Sequence, residues 1–190
     1  VFSHINAQAL RMAPRRSLQN HARMPRISSL PGHRALRRGR HSLPGNTYVI
    51  TFTTRDRVAW FTSFEPARAA SAALATAAGK TDAEILAWVL MPDHAHLLVT
   101  LGTRWSLQRL VQQLKSSMAR EVNRAVGRRG PLWSRAFHDH ALRNEEDLRL
   151  VARYIVLNPV RAGLVARCAD YPFWDAAWIT HRPRLSAPHR

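Results

Sequence analysis

The sequence predicts an α+β domain of ferredoxin-like, RRM-like topology: an antiparallel sheet packed with helices, followed by a C-terminal helix that carries a tyrosine. Three observations point there. Strand-like and helix-like hydrophobic patterns alternate in the order β-α-β-β-α-β. A Pro-Asp pair separates two adjacent apolar runs, as a hairpin turn would. One more helical stretch then runs up to a proline. At 190 residues the chain is about one domain long, with room for an ordinary core.

Residues 1–43 hold nine arginines and no acid, with little apolar periodicity, and read as a disordered basic arm. Met24 suggests that residues 1–23 precede the true start and are dispensable. After the breaker pair Pro44-Gly45 the folded domain is expected over 44–180, with a basic tail at 181–190. In NTYVITFTT (46–54), Tyr48, Ile50 and Phe52 alternate onto one face of a strand. The alanine-rich stretch 64–79 is helical and ends at Gly79. ILAWVLM (85–91) and AHLLVTL (95–101) are two strands joined at Pro92-Asp93. Over 106–126, Leu107, Leu110, Val111, Leu114, Met118 and Val122 recur at helical spacing, and Gly127 closes the helix. Residues 136–143 read as a short strand. Residues 144–158 read as a helix with Asn144 as N-cap, which Pro159 ends or kinks.

Charge sets the class of partner. Lys+Arg is 29 against Asp+Glu 12, a net charge of +17, and only Lys80 and Lys115 are lysines. Such an excess implies a polyanion, since each neutralised phosphate releases counterions. Arginine adds forked hydrogen bonds to phosphates and stacks on unpaired bases. Nucleotide bias in the gene would explain Arg over Lys, but not the shortage of acids. A single cysteine, Cys168, excludes an intramolecular disulfide framework and a cysteine-based zinc cluster. With no apolar run long enough to span a bilayer and no signal-peptide pattern, the expectation is a cytoplasmic, nucleoid-associated protein without membrane contact.

His94 and His96 flank Ala95 at the start of a strand, so alternation puts both imidazoles on one face. Two such histidines suit two ligands of one divalent ion. The signal is weak alone, because ten histidines give roughly 0.5 such pairs by chance. A second pair stands at His138 and His140, and spacing does not choose between them. On the last helix, Leu148, Val151, Ala152 and Ile155 form a buried stripe, with Tyr154 and Asn158 on its flank. Being four residues apart, those two can point a hydroxyl and a carboxamide into one site. A half-buried tyrosine with a helix-terminal asparagine is the commoner meaning of that pattern.

MPDHAHLLV, FHDHALRNEEDLRLVARYIVLNPVRAGLV and YPFWDAAW resemble the REP-associated tyrosine transposases, within the HUH superfamily of single-tyrosine transposases. The similarity runs from about Leu30 to Trp178 and its motifs are long. The resemblance implies that His94 and His96 bind a catalytic divalent metal and that Tyr154 is the nucleophile. It further implies that Asn158, a glutamine in related insertion-sequence enzymes, is the polar metal ligand. It favours the first histidine pair over the second. It also implies a 5′-phosphotyrosine intermediate with a free 3′-hydroxyl, a substrate of single-stranded or hairpin DNA at repetitive palindromes, and a monomer.

The residue types suit that chemistry. A phenol with pKa near ~10 is a poor nucleophile at neutral pH, but its phosphodiester-like adduct keeps the energy needed to rejoin the strand. A divalent ion polarises the scissile phosphate. Neutral ligands would hold Mg²⁺ or Mn²⁺ loosely, with Mn²⁺ the more tolerant of nitrogen. Arg153 and Arg161 bracket the tyrosine and are the first candidates for phosphate contacts. Gln108, Gln112 and Lys115 on the long helix are candidates for DNA contact, although a solvated face explains them as well. His138 and His140 would orient the metal site from behind its ligands or touch DNA; packing or plain exposure explains them equally. Trp133, Trp174 and Trp178 read as packing rather than base-stacking platforms. The rival reading is an RRM-like nucleic-acid-binding module without catalysis, a domesticated relative. A metal phosphoesterase using both histidine pairs is a third.

Overall fold

A computed structural model of the chain describes residues 43–142 and 148–180. The arm, the tail and the proposed Asn144 cap therefore fall outside the described residues, apart from Leu43. The strands are β1 (Thr47–Thr53), β2 (Glu84–Met91), β3 (His94–Thr100), β4 (His138–Ala141) and β5 (Trp174–Ala176). The main helices are α1 (Phe64–Ala78), α2 (Leu107–Ala125) and α3 (Leu148–Val156). The sheet runs β4-β1-β3-β2-β5, antiparallel at every pairing. Its first four strands have the ferredoxin-like order that the sequence predicts. The fifth was not foreseen: Trp174 read as packing, yet Trp174–Ala176 pairs with β2.

Alternation divides the sheet into two faces, each with its own core. Tyr48, Ile50 and Phe52 on β1 and Ala95, Leu97 and Val99 on β3 bury beneath α1 and α2. The long helix meets them with the stripe the periodicity predicts, Leu107, Leu110, Val111, Leu114, Met118 and Val122. Its first turn is capped by the Ser106 hydroxyl, which accepts from Arg109 N at 3.2 Å. Gly127, at φ +64°, ends it in the left-handed conformation that glycine reaches without a Cβ penalty.

The opposite face belongs to α3. Ala152, Ile155 and Val156 bury against Leu86, Ala87, Val89, Met91, Leu98 and Ala176, with Leu148 and Val151 partly covered. A register shift between Ile85 and Ala87 turns both Leu86 and Ala87 toward this helix. Tyr171 pins the connection to β5 by donating its hydroxyl to Leu90 O at 2.6 Å. No described helix is long and apolar enough to cross a membrane.

Candidate active site

β3 is the middle strand of five, so His94 and His96 project from the best-supported strand of the sheet. Ala95, Leu97 and Val99 face α1 and α2, which leaves the two imidazoles on the α3 face. Their ring centroids are 4.7 Å apart with planes at 87°.

Each ring has one nitrogen tied down. His94 Nδ1 lies 2.6 Å from Asp93 Oδ1. Burial pushes the Asp93 carboxyl up, but hydrogen bonds from His94 and Arg57 and the neighbouring positive charge outweigh it and hold it below its usual range. An ionised carboxylate only accepts, so Nδ1 donates, which in the neutral ring leaves the lone pair on Nε2. His96 Nδ1 lies 2.8 Å from the Thr51 hydroxyl, its neighbour across β1. Burial, then the proximity of His94 and Arg57, pulls the His96 pKa down to about 3, with Asp93 partly offsetting them. His96 is therefore neutral near pH 7, the state a metal ligand requires.

The loop after β1 brings Arg57 to the carboxylate that holds His94. Asp56 and Arg57 have φ of 56° and 57°. Two successive non-glycine residues there are uncommon and cost on the order of 1–3 kcal/mol each. The bend carries Arg57 Nη1 to 3.2 Å from Asp93 Oδ2. Thr54, fully buried, anchors the loop: its single hydroxyl proton is donated to Val58 O at 2.8 Å, with Asp93 O also within reach at 3.1 Å.

Of the chain's three tyrosines, two are committed to the fold. Tyr48 is 3% exposed and its hydroxyl accepts from Leu43 N. Tyr171 donates to Leu90 O, and burial raises its phenol pKa. Tyr154 is 38% exposed, beside the buried stripe of α3 as periodicity predicts. The Arg161 guanidinium lies 4.1 Å from the centre of its ring.

Asn158 follows from Pro159. Proline has no N–H to return to Ile155 O, four residues back. The Asn158 carboxamide takes its place, Nδ2 donating to Ile155 O at 2.9 Å and to Tyr154 O at 3.1 Å. Both partners only accept, so nitrogen faces the helix and Oδ1, the ligating atom of an amide, is left over. Pro159 thus kinks the helix rather than stopping it, since a helical turn continues over Asn158–Arg161.

The other candidates divide. His138 and His140 pair with Thr51 and Val49 across β4 and β1, so they share the histidine face but are exposed. Arg153 is exposed on α3. Gln108, Gln112 and Lys115 are displaced from the site, because α2 covers the opposite face of the sheet. Gln108 and Gln112 are exposed there. Lys115 donates to Ser134 O at 2.6 Å, Arg135 O at 3.2 Å and Ala136 O at 3.4 Å, an internal tie that takes up all three of its protons. Trp133 is buried against Phe52 and Phe61, whereas Trp178 is 38% exposed. Sequence reasoning missed Asp93, Thr51 and Arg57. Asp93 stands next to His94 but was read only as a turn residue; Thr51 required the register, and Arg57 the left-handed loop.

Fold and site together define an α+β domain with a histidine pair on its central strand and an accessible tyrosine on the helix covering that face. Residues 43–158 match the family described as Transposase IS200 like, and the chain belongs to that family. It is 34% identical over 97 residues to the REP-associated tyrosine transposase of Escherichia coli (strain K12), covering 47% of this chain and 52% of that relative. The chain thus spans about half the length of the curated relatives it matches. Its fold is similar to the solved structure of a REP-associated tyrosine transposase bound to a REP hairpin. That match has a TM-score of 0.57 and 28% identity, covering 71% of this chain and 79% of the other.

Proposed function

We propose that this protein is a divalent-metal-dependent endonuclease and transposase of single-stranded or hairpin DNA, with Tyr154 as nucleophile. The observation that carries the reading is the contrast among the tyrosines: Tyr48 and Tyr171 are locked into the fold, while Tyr154 is exposed on the helix over the histidine face. The packing of α3 on the sheet of its own chain supports a reading in which Tyr154 acts with the histidines of the same chain.

His94, His96 and Asn158 would hold the metal. Among the described residues no three His, Cys, Asp or Glu side chains cluster as metal ligands. An amide oxygen and the phosphate of the substrate are the natural completion of two imidazoles. Such an ion would polarise the scissile phosphate and neutralise its developing charge. Asp93 and Thr51 fix the imidazoles, and Asn158 turns Oδ1 outward. The Tyr154 oxygen forms a bond to the 5′ phosphorus, the bond to the 3′ oxygen breaks, and that oxygen gains a proton while the phenol loses one. Arg161, beside the ring, and Arg153, exposed on α3, would meet phosphate oxygens. The reverse step rejoins the strand.

Incubation of the protein with hairpin oligonucleotides from the flanks of its own gene, with Mn²⁺ or Mg²⁺, tests this reading. Nicking with an SDS-stable protein–DNA adduct is expected; binding without either would leave a non-catalytic module.

A further inference from the structure

At the end of β1, on the far side of Thr53 from His94, the loop after β1 and the segment leading into β4 enclose a cleft of about 390 Å³. Arg55, Pro131, Trp133, Ser134 and Arg135 line it. The volume falls in the ~300–1,000 Å³ range of small-ligand sites. Its walls are fixed. Arg55 N donates to Leu132 O at 2.8 Å, Ser134 N to Thr53 O at 2.9 Å and the Ser134 hydroxyl to Thr54 O at 2.9 Å. Thr54 and Trp133 form a β-bridge, and Lys115 holds the carbonyls of 134–136 from below. Both guanidinium groups are available. Among the described residues the Arg55 side chain, 61% exposed, meets Asp56 at 3.6 Å, and Arg135 is exposed.

Its position relates it to the histidines. Thr53 pairs with His94 on one side and bonds Ser134 through backbone and hydroxyl on the other. His94, Thr53 and Ser134 therefore form one cross-strand row. Two inter-strand spacings are ~10 Å, the length of about three stacked nucleotides at ~3.4 Å each.

We propose that this cleft seats an unpaired nucleotide of the DNA strand that crosses the histidine face, within about three nucleotides of the phosphate held there. The proposal rests on the functional reading above. Arg55 and Arg135 take two backbone phosphates, and Pro131 with the small exposed part of Trp133 gives the base an apolar wall. Unlike the diffuse attraction of a +17 chain, this is a preformed contact at a fixed distance from the chemistry.

The test uses the full chain and a single-stranded oligothymidylate dodecamer, with binding measured against salt concentration in the absence of metal. Arg55→Ala/Arg135→Ala is expected to weaken binding at least tenfold. It should also make the slope of log K against log salt shallower by ~1.4, at ~0.7 per phosphate for single strands. Arg68→Ala/Arg120→Ala, two exposed arginines on α1 and α2, should change neither by half as much. A 5-iodouracil moved along the strand should photocross-link to the 131–135 peptide from one or two positions, and thymidine monophosphate at equal concentration should not compete. Equal losses in both double variants, cross-links only outside 131–135, or full competition by the mononucleotide would each overturn the cleft. Wild-type protein that cross-links at 131–135 yet forms no Tyr154 adduct would instead refute the nuclease reading and leave the cleft standing.

Discussion

Asp93 Oδ1 lies 2.6 Å from His94 Nδ1, and the same carboxylate meets Arg57 at 3.2 Å through its other oxygen. One side chain thus links the strained loop after β1 to the histidine strand. Asp93→Asn keeps the size but removes the ionised acceptor. Groups that orient a ligating histidine typically contribute 10–100-fold in metal affinity. We expect Mn²⁺ affinity, measured by calorimetry, to fall by about that factor while binding of oligothymidylate stays within twofold. Unchanged metal affinity would remove Asp93 from the site.

Asn158 has two tasks, and its variants separate them. Asn158→Ala leaves the Ile155 and Tyr154 carbonyls without their donor and takes away Oδ1. Each lost hydrogen bond costs about 0.5–1.5 kcal/mol, so urea denaturation should show a loss of roughly 1–3 kcal/mol. If the oxygen also ligates, cleavage should weaken and recover in part at raised Mn²⁺. Cleavage with an unaltered metal requirement would leave Asn158 as a helix cap alone.

Lys115 separates the sequence reading from the structural one. A phosphate contact predicts that Lys115→Met makes the salt dependence of single-strand binding shallower by ~0.7. The observed tie to the carbonyls of 134–136 predicts no change in slope and a loss of stability of about 1–3 kcal/mol. Burial brings the Lys115 pKa down to about 8, so near pH 7 the ammonium still offers its three protons.

His96 makes the metal-free protein sensitive to acid. Its folded pKa is lowered to about 3 from an ordinary 6.5. Between those values the unfolded chain binds the extra proton, so stability falls as pH falls through that window, by at most ~1.4 kcal/mol per unit. Asp82, Asp93 and Asp170 also have lowered values, but from 3.8, and contribute mainly below pH 4. Melting temperature should therefore drop from pH 6.5 to 5 in wild-type protein and less so in His96→Gln. Parallel slopes would contradict the burial of His96.

How much of this was legible in the sequence depended on whether the signal was local. The strands, helices and two core faces follow from periodicity, and the stripe of α3 and the flanking place of Tyr154 with them. β5 escaped because three residues give too short a period, and its pairing with Val89–Ala87 comes from tertiary contact. The polar face of α2 is visible in the sequence, but not which side of the sheet that helix covers. The tie of Lys115 to the carbonyls of 134–136 was not legible for that reason. Thr51 looks like any strand threonine until the register sets it opposite His96.

The most direct measurement is mass spectrometry of the protein–DNA adduct formed on a cleavable hairpin oligonucleotide with Mn²⁺, in wild-type and Tyr154→Phe proteins. Phenylalanine keeps the ring and its packing and removes only the attacking oxygen. The account predicts a single adduct on the peptide containing Tyr154, and neither adduct nor nicking from the variant, which should still bind DNA. An adduct on Tyr48 or Tyr171, or undiminished cleavage by Tyr154→Phe, would contradict it.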